Sequence, residues 1–293
     1  MPRIAANGIE IEYEQFGAAG NPPLLLVMGL AAQMILWEDD FCRAIADRGF
    51  HVTRFDNRDI GKSTWMTDAG VPDVGSAMIG AMTGQKVEAP YTLSDMAADT
   101  AALLDGLSIR SAHVVGASMG GMIAQTLAIE HPAKVRTLTS IMSTTGNPAL
   151  PPATPEAMSV LLSPPVAGRD ENIDRAVTVF RTIGSSGYPF DEAMVRDIAA
   201  RSFDRGFHPE GVARQLVAIL ASGSRKGLLS SVRVPTLVIH GSADPLVPFA
   251  GGVDTAESIP GAKLVEIEGM GHDLPRGTWP RIIDEICALA ARA

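Results

Sequence analysis

The stretch that most constrains what this chain can fold into is Gly116-Ala117-Ser118-Met119-Gly120-Gly121, reached through the apolar run His113-Val114-Val115. The run before it reads as a strand and the residues from Met119 onward as a helix, so a sharp turn falls between them with Ser118 at its apex. A serine there adopts strained backbone angles, and glycines at 116 and 120 remove side chains that would collide across the turn. The turn pushes Oγ into open space beside the N-terminus of the next helix, whose unpaired N–H groups favour negative charge. G-x-S-x-G alone occurs by chance in many chains. Its flanking patterns and the partners found downstream single this one out as the seat of an acyl-transfer nucleophile.

Around it the chain alternates strand and helix. Ile9-Glu10-Ile11-Glu12-Tyr13-Glu14 alternates apolar and acidic residues, predicting an antiparallel strand with one wet face, paired with residues 2–6 across the hairpin signal Asn7-Gly8. Leu24-Leu25-Leu26-Val27-Met28 is apolar throughout, as expected of a central strand covered on both faces. A helix is predicted near 38–48, a strand at 51–55, a loop with a short helix over 66–90, and a helix from the Thr92 cap to about Leu107. The strand at 112–116, the serine turn, a helix to His131-Pro132 and a strand near 135–142 complete a parallel βαβ pattern.

The alternation then breaks. Residues 144–231 carry helical patterns at 173–183, 191–203 and 210–221 and no convincing strand, which predicts a helical cap inserted between two sheet strands. Strand and helix order resumes at 234–240 and continues to a last helix at about 279–291. The expected organisation is a core over 1–143, a cap over 144–231 and the rest of the core over 232–293, an α/β fold with a mostly parallel central sheet, helices on both faces and the inserted cap.

Composition narrows the function classes. A hydrophobic content of 46% over 293 residues supports a large core, and a formal charge of −9 argues against nucleic-acid or anionic-membrane partners. No signal-like or bilayer-length apolar run is seen, so a cytoplasmic protein without membrane insertion is expected. The two cysteines, Cys42 and Cys287, fall in apolar helical patterns and read as buried structural thiols. Gly61-Lys62-Ser63 superficially resembles a phosphate loop but has Asp56 where that loop needs glycine, and neither a dinucleotide fingerprint nor a metal-ligand spacing is present, so no cofactor and no metal are expected.

A serine hydroxyl needs a base within hydrogen-bond reach and an acid to hold that base, both on loops at the carboxyl ends of parallel strands. Asp244, just after the strand ending near His240, and His272, just after the last strand, meet that condition in the chain order Ser, Asp, His. His51 and His113 sit at the wrong ends of their strands, His131 precedes Pro132, His208 lies in the cap, and His240 reads as a packed residue beside the site. The position after Met142 offers Ser143-Thr144 and no carboxylate. Asp273 is expected to be solvated. The Met119 N–H and, just past Gly29, the Leu30 N–H are the expected oxyanion donors. Met158, Leu162, Phe180, Ile183 and Phe190 are candidates to line an apolar pocket, and they could equally be cap core.

Taken together, Asp56-Asn57-Arg58-Asp59-Ile60-Gly61-Lys62-Ser63, the Gly116–Gly120 turn, the Gly241–Pro248 loop and the Gly269–His272 loop resemble the α/β-hydrolase superfamily over essentially the whole chain. Leu26–Leu30 and the Trp37 region are similar more narrowly to aclacinomycin methylesterases and related bacterial capped carboxylesterases. The resemblance implies a nucleophilic Ser118, a general base and acid in His272, an orienting Asp244, oxyanion donors Leu30 and Met119, and a small-molecule ester substrate. Two departures stand out: Met28 precedes Gly29 where most relatives have histidine, and Asp59 replaces the usual glycine, where a structural carboxylate is expected. C–C bond hydrolase, thioesterase, lactonase and perhydrolase activities share such a triad, and a ligand receptor without turnover can share the fold. The sequence leaves the oligomeric state open.

Overall fold

The structure, a computed structural model, describes residues 1–293. It opens on a hairpin of β1 (Arg3–Ala6) and β2 (Ile9–Phe16), turned through Asn7 and Gly8 at φ 48° and 78°. A two-residue turn of that hand matches the twist of the strands it joins. Then come β3 (Pro23–Val27), α1 (Asp39–Ala46), β4 (His51–Phe55), α2 (Val74–Met82), α3 (Leu93–Gly106), β5 (Ala112–Ala117), α4 (Met119–Glu130) and β6 (Val135–Ile141). Thr92 and Asp95 form the reciprocal cap that starts α3.

Between β6 and the next strand lie five helices: α5 (Pro155–Leu161), α6 (Arg169–Ile183), α7 (Glu192–Arg205), α8 (Pro209–Ser222) and α9 (Lys226–Leu229). The chain then gives β7 (Thr236–Gly241), α10 (Phe249–Ser258), β8 (Lys263–Ile267) and α11 (Trp279–Ala290). All strands join one sheet in the order β1-β2-β4-β3-β5-β6-β7-β8, antiparallel at β1/β2 and β2/β4 and parallel elsewhere.

The unbroken apolar run of β3 is explained by its two neighbours. Leu25 and Val27 pack with Met96, Leu103, Ile123 and Leu127 of α3 and α4, whereas Leu24 and Leu26 pack with Phe41, Ile45, Ile282 and Ile286 of α1 and α11. A strand buried on both faces has no wet positions to alternate. β2 shows the alternation expected of it at Ile9, Glu10 and Ile11, but Glu12 is buried because Arg205 of α7 reaches it (2.7 Å). His113 is a packed residue. Its Nδ1 meets Thr137 Oγ1 at 3.0 Å, its ring stands edge-on to Phe50, and burial pushes its pKa down to about 4.

The inserted helices are tied to the sheet edge through polar side chains. Arg205 also donates to Asp56 (2.8 Å), Gln33 donates to the Ser202 and Gly206 carbonyls (2.7 and 3.0 Å), and Arg214 of α8 makes a two-bond pair with Asp59 (2.8 and 2.8 Å). Asp59 holds a φ of 67°, the left-handed backbone for which glycine is usual, so the carboxylate is placed at a conformational cost. Cys42 is buried, with its thiol pushed up to about 12 by burial, whereas Cys287 is only partly covered. No helix is long and apolar enough to cross a membrane.

Candidate active site

β5 ends at Ala117 and α4 begins at Met119, so the reversal falls on Ser118 alone, at φ 54° and ψ −121°. Its neighbours hold it there. Its N–H donates to the Ile141 carbonyl (2.9 Å), and its carbonyl accepts from the N–H groups of Gly121 (2.9 Å) and Met122 (3.2 Å) and from Ser143 Oγ (2.8 Å). A Cβ on Gly116 would stand 2.1 Å from the Gly120 oxygen, and one on Gly120 would stand 2.1 Å from the Val27 oxygen. Backbone crosses backbone at both points, so no side chain fits.

Asp244 follows β7. Its Oδ1 accepts from the N–H groups of Leu246 (2.9 Å) and Val247 (2.8 Å), which leaves Oδ2 to face His272 Nδ1 at 2.7 Å. An ionised carboxylate only accepts, so Nδ1 carries the imidazole proton and Nε2 offers a lone pair. Ser118 Oγ lies 2.9 Å from that nitrogen. Asp244 and His272 are 6% and 8% exposed, dry enough for these bonds to fix the ring but open enough for a ligand to reach its edge. His240 stands behind the carboxylate, its Nε2 donating to the Val247 carbonyl (2.7 Å) and 3.6 Å from Asp244 Oδ2, and burial holds its pKa low.

The loop carrying His272 is braced by the end of α6. The His272 N–H donates to the Ile183 carbonyl (2.7 Å), Gly187 N–H donates to Gly269 (2.9 Å), and the Gly271 N–H donates to Ser185 Oγ (2.9 Å). The same Ser185 hydroxyl binds Asp273. Asp273 is therefore not solvated as expected. It is folded under α6, and burial raises its pKa above the usual carboxylate range.

Met119 follows the serine in the chain, Leu30 follows Gly29, which packs against it, and neither N–H finds an acceptor within the chain. Asn57 Nδ2 donates to the Met28 carbonyl (2.8 Å), and Gln215 of α8 accepts from the Ala31 N–H (3.2 Å). Gln215, a polar residue in an ordinary helical pattern, carries no sequence signal that marks it. Asn57 was visible only as part of its loop.

Of the expected pocket residues, Ile183 is buried and meets His272 through its carbonyl, and Met158 and Phe180 are half-buried. Leu162 is 39% exposed, and the Phe190 ring carries the Arg181 guanidinium 4.6 Å from its centre. Arg181 and Arg196 of the inserted helices are solvent-exposed and both pair with Glu192. His208 takes no place at the site. It stacks on Trp65 at 4.2 Å with its Nε2 2.7 Å from Arg214.

The chain is 31% identical to rhodomycin D methylesterase DnrP of Streptomyces peucetius, covering 97% of this chain and 96% of that one. Its fold matches the enol-lactonase of Burkholderia xenovorans LB400 with a TM-score of 0.74 at 23% identity, over 99% of this chain and 100% of that one. It matches the meta-cleavage product hydrolase CumD of Pseudomonas fluorescens IP01 with a TM-score of 0.77 at 18% identity, over 100% and 98%. Residues 22–275 match the family described as alpha/beta hydrolase fold, and the chain belongs to that family.

Proposed function

We propose that this protein is a serine carboxylic-ester hydrolase in which Ser118, His272 and Asp244 act as one catalytic unit. The observation that carries the proposal is the aligned set of Ser118 Oγ, His272 Nε2 and Nδ1, and Asp244 Oδ2, at 2.9 and 2.7 Å, next to two N–H groups without acceptors. Ser118 Oγ attacks the ester carbonyl while His272 Nε2 takes its proton, and the Asp244 carboxylate stabilises the imidazolium that forms. The oxyanion is held by the Leu30 and Met119 N–H groups, at the positive end of α4. Collapse expels the alcohol, protonated from Nε2, and leaves an acyl-Ser118. Water then attacks that ester with His272 as base, and the acid leaves.

The substrate class follows from the relatives. The methylesterase at 31% identity over nearly the whole chain supports a methyl or other small alkyl ester. Free thiols at 42 and 287 suit a reducing compartment, so we place the enzyme in the cytoplasm. The deciding experiment measures hydrolysis of a p-nitrophenyl ester series by wild type, Ser118→Ala and His272→Ala from roughly pH 5 to 9. Turnover by wild type with loss in both variants is expected. Turnover that survives in Ser118→Ala sinks the proposal, and binding of esters without turnover by wild type points to a receptor instead.

A further inference from the structure

The peptide plane that presents the Leu30 N–H lies between two planes that are each tied to a buried side-chain amide. The plane before it carries the Met28 carbonyl, held by Asn57 Nδ2 at 2.8 Å, and the plane after it carries the Ala31 N–H, held by Gln215 Oε1 at 3.2 Å. Asn57 is 3% exposed and Gln215 fully buried. Gly29, between the first two planes, stands against the serine: a Cβ there would lie 3.1 Å from Ser118 Cβ. The middle plane can turn only if one of its neighbours lets go.

The Gln215 bond is the one under load. Ala31 sits at φ 61°, a left-handed backbone that residues with a Cβ avoid, so the 30–31 plane relaxes when nothing holds it. The Gln215 amide has only one workable orientation. Its Nε2 donates to the Arg58 carbonyl (2.8 Å), so a flipped amide would set N–H against N–H at Ala31 and oxygen against oxygen at Arg58. The neighbouring residue fixes the helix that bears it. Arg214 makes its two-bond pair with Asp59, and α8 runs so close there that a Cβ on Gly211 would stand 2.1 Å from the Asp59 oxygen. Three successive residues, Asn57, Arg58 and Asp59, thus connect the Met28–Ala31 loop to α8.

We propose that Gln215 is a positioning residue for the oxyanion site: it holds the Ala31 N–H so that the Leu30 N–H points at the developing charge, and docking of α8 makes that donor competent. The assignment rests on the ester-hydrolase function proposed above. Gln215→Met, close in length but without the amide, should lower both kcat for p-nitrophenyl acetate and the rate at which a fluorophosphonate labels Ser118 by about 10- to 100-fold, with KM within about threefold. The labelling reaction loses fluoride and leaves a phosphoryl oxygen where the oxyanion would sit, so it reads the donors without ester turnover. Gln215→Glu keeps an acceptor for Ala31 and, as the neutral acid that so buried a site favours, an O–H donor for the Arg58 carbonyl, and should lose less. Gln215→Asn, one methylene too short to bridge Ala31 and Arg58, replaces Gln215→Met should that variant not fold, with the same fall expected. Rates within about twofold of wild type overturn the assignment, as does a fall in which KM rises in step and Gln215→Glu is no better than Gln215→Met. Wild type that neither turns over esters nor is labelled sinks the ester-hydrolase proposal and this one with it. Active wild type with an unaffected Gln215→Met sinks this one alone.

Discussion

Asp59 and Arg214 meet through two parallel bonds of 2.8 Å, with the carboxylate fully buried and the guanidinium 1% exposed, joining the loop after β4 to α8 across 155 positions of sequence. Burial pushes the Asp59 carboxyl up, but the bonds from Arg214 and from the Met66 N–H outweigh it and hold the group below the usual carboxylate range. Removing one member strands the other charge in a dry site. Arg214→Leu should therefore cost about 3–5 kcal/mol in urea unfolding, and Asp59→Gly alone a similar amount. The double variant should recover most of that loss, because glycine relieves the positive φ at 59 and leucine packs where the guanidinium stem lay. Additive losses in the double variant would refute the pairing.

His113 makes stability depend on pH below neutrality. Burial depresses its pKa from an ordinary value near 6.5 to about 4, so between those values the unfolded chain binds a proton that the folded chain does not. Stability therefore falls as pH drops from 6.5 to about 4, with a slope of at most about 1.4 kcal/mol per pH unit from this one group. In His113→Gln that contribution is absent, and the difference between wild type and variant should shrink steadily on acidification. Parallel pH curves for the two proteins would exclude His113 as the source.

Gly120 is required for space. An alanine methyl there would meet the Val27 oxygen at 2.1 Å and the Met28 oxygen at 2.8 Å, both backbone atoms that cannot swing aside. Gly120→Ala should cost more than about 3 kcal/mol or yield insoluble protein. Gly227 in α9 has nothing within 4 Å of the same position and serves as the control. Gly227→Ala should be neutral or stabilising by up to about 1 kcal/mol in the same thermal melts.

The sheet was legible wherever function and fold share a local signature. Strand ends followed by Ser118, Asp244 and His272 announce themselves because each loop lies at the carboxyl end of an apolar run, and the structure brings the three side chains together. Asn7-Gly8 set its hairpin by backbone preference alone. What stayed hidden depends on distant partners. Glu12 reads as a wet position until Arg205 is laid over it, and Asp273 reads as solvated until the end of α6 closes over the His272 loop. Gln215 sits 184 positions from Ala31 in an unremarkable helical pattern, so only the three-dimensional approach of α8 shows what it holds.

The oxygen of Asp244 that faces away from His272 gives a sharp expectation for the amide variant. Oδ1 accepts from two backbone N–H groups, Leu246 and Val247, at 2.9 and 2.8 Å. In Asp244→Asn the side-chain oxygen is claimed by those donors, so the NH2 group must point at His272 Nδ1. That nitrogen then has to accept, the imidazole proton moves to Nε2, and Nε2 donates to Ser118 Oγ instead of taking its proton. The packing is unchanged, but the base is lost. On the proposed mechanism, kcat for p-nitrophenyl butyrate should fall by about 10³–10⁴, with the thermal midpoint close to wild type. Activity within about tenfold of wild type in a folded Asp244→Asn would show that the ring is oriented by something other than this carboxylate, and His240, 3.6 Å behind it, would be the next residue to replace.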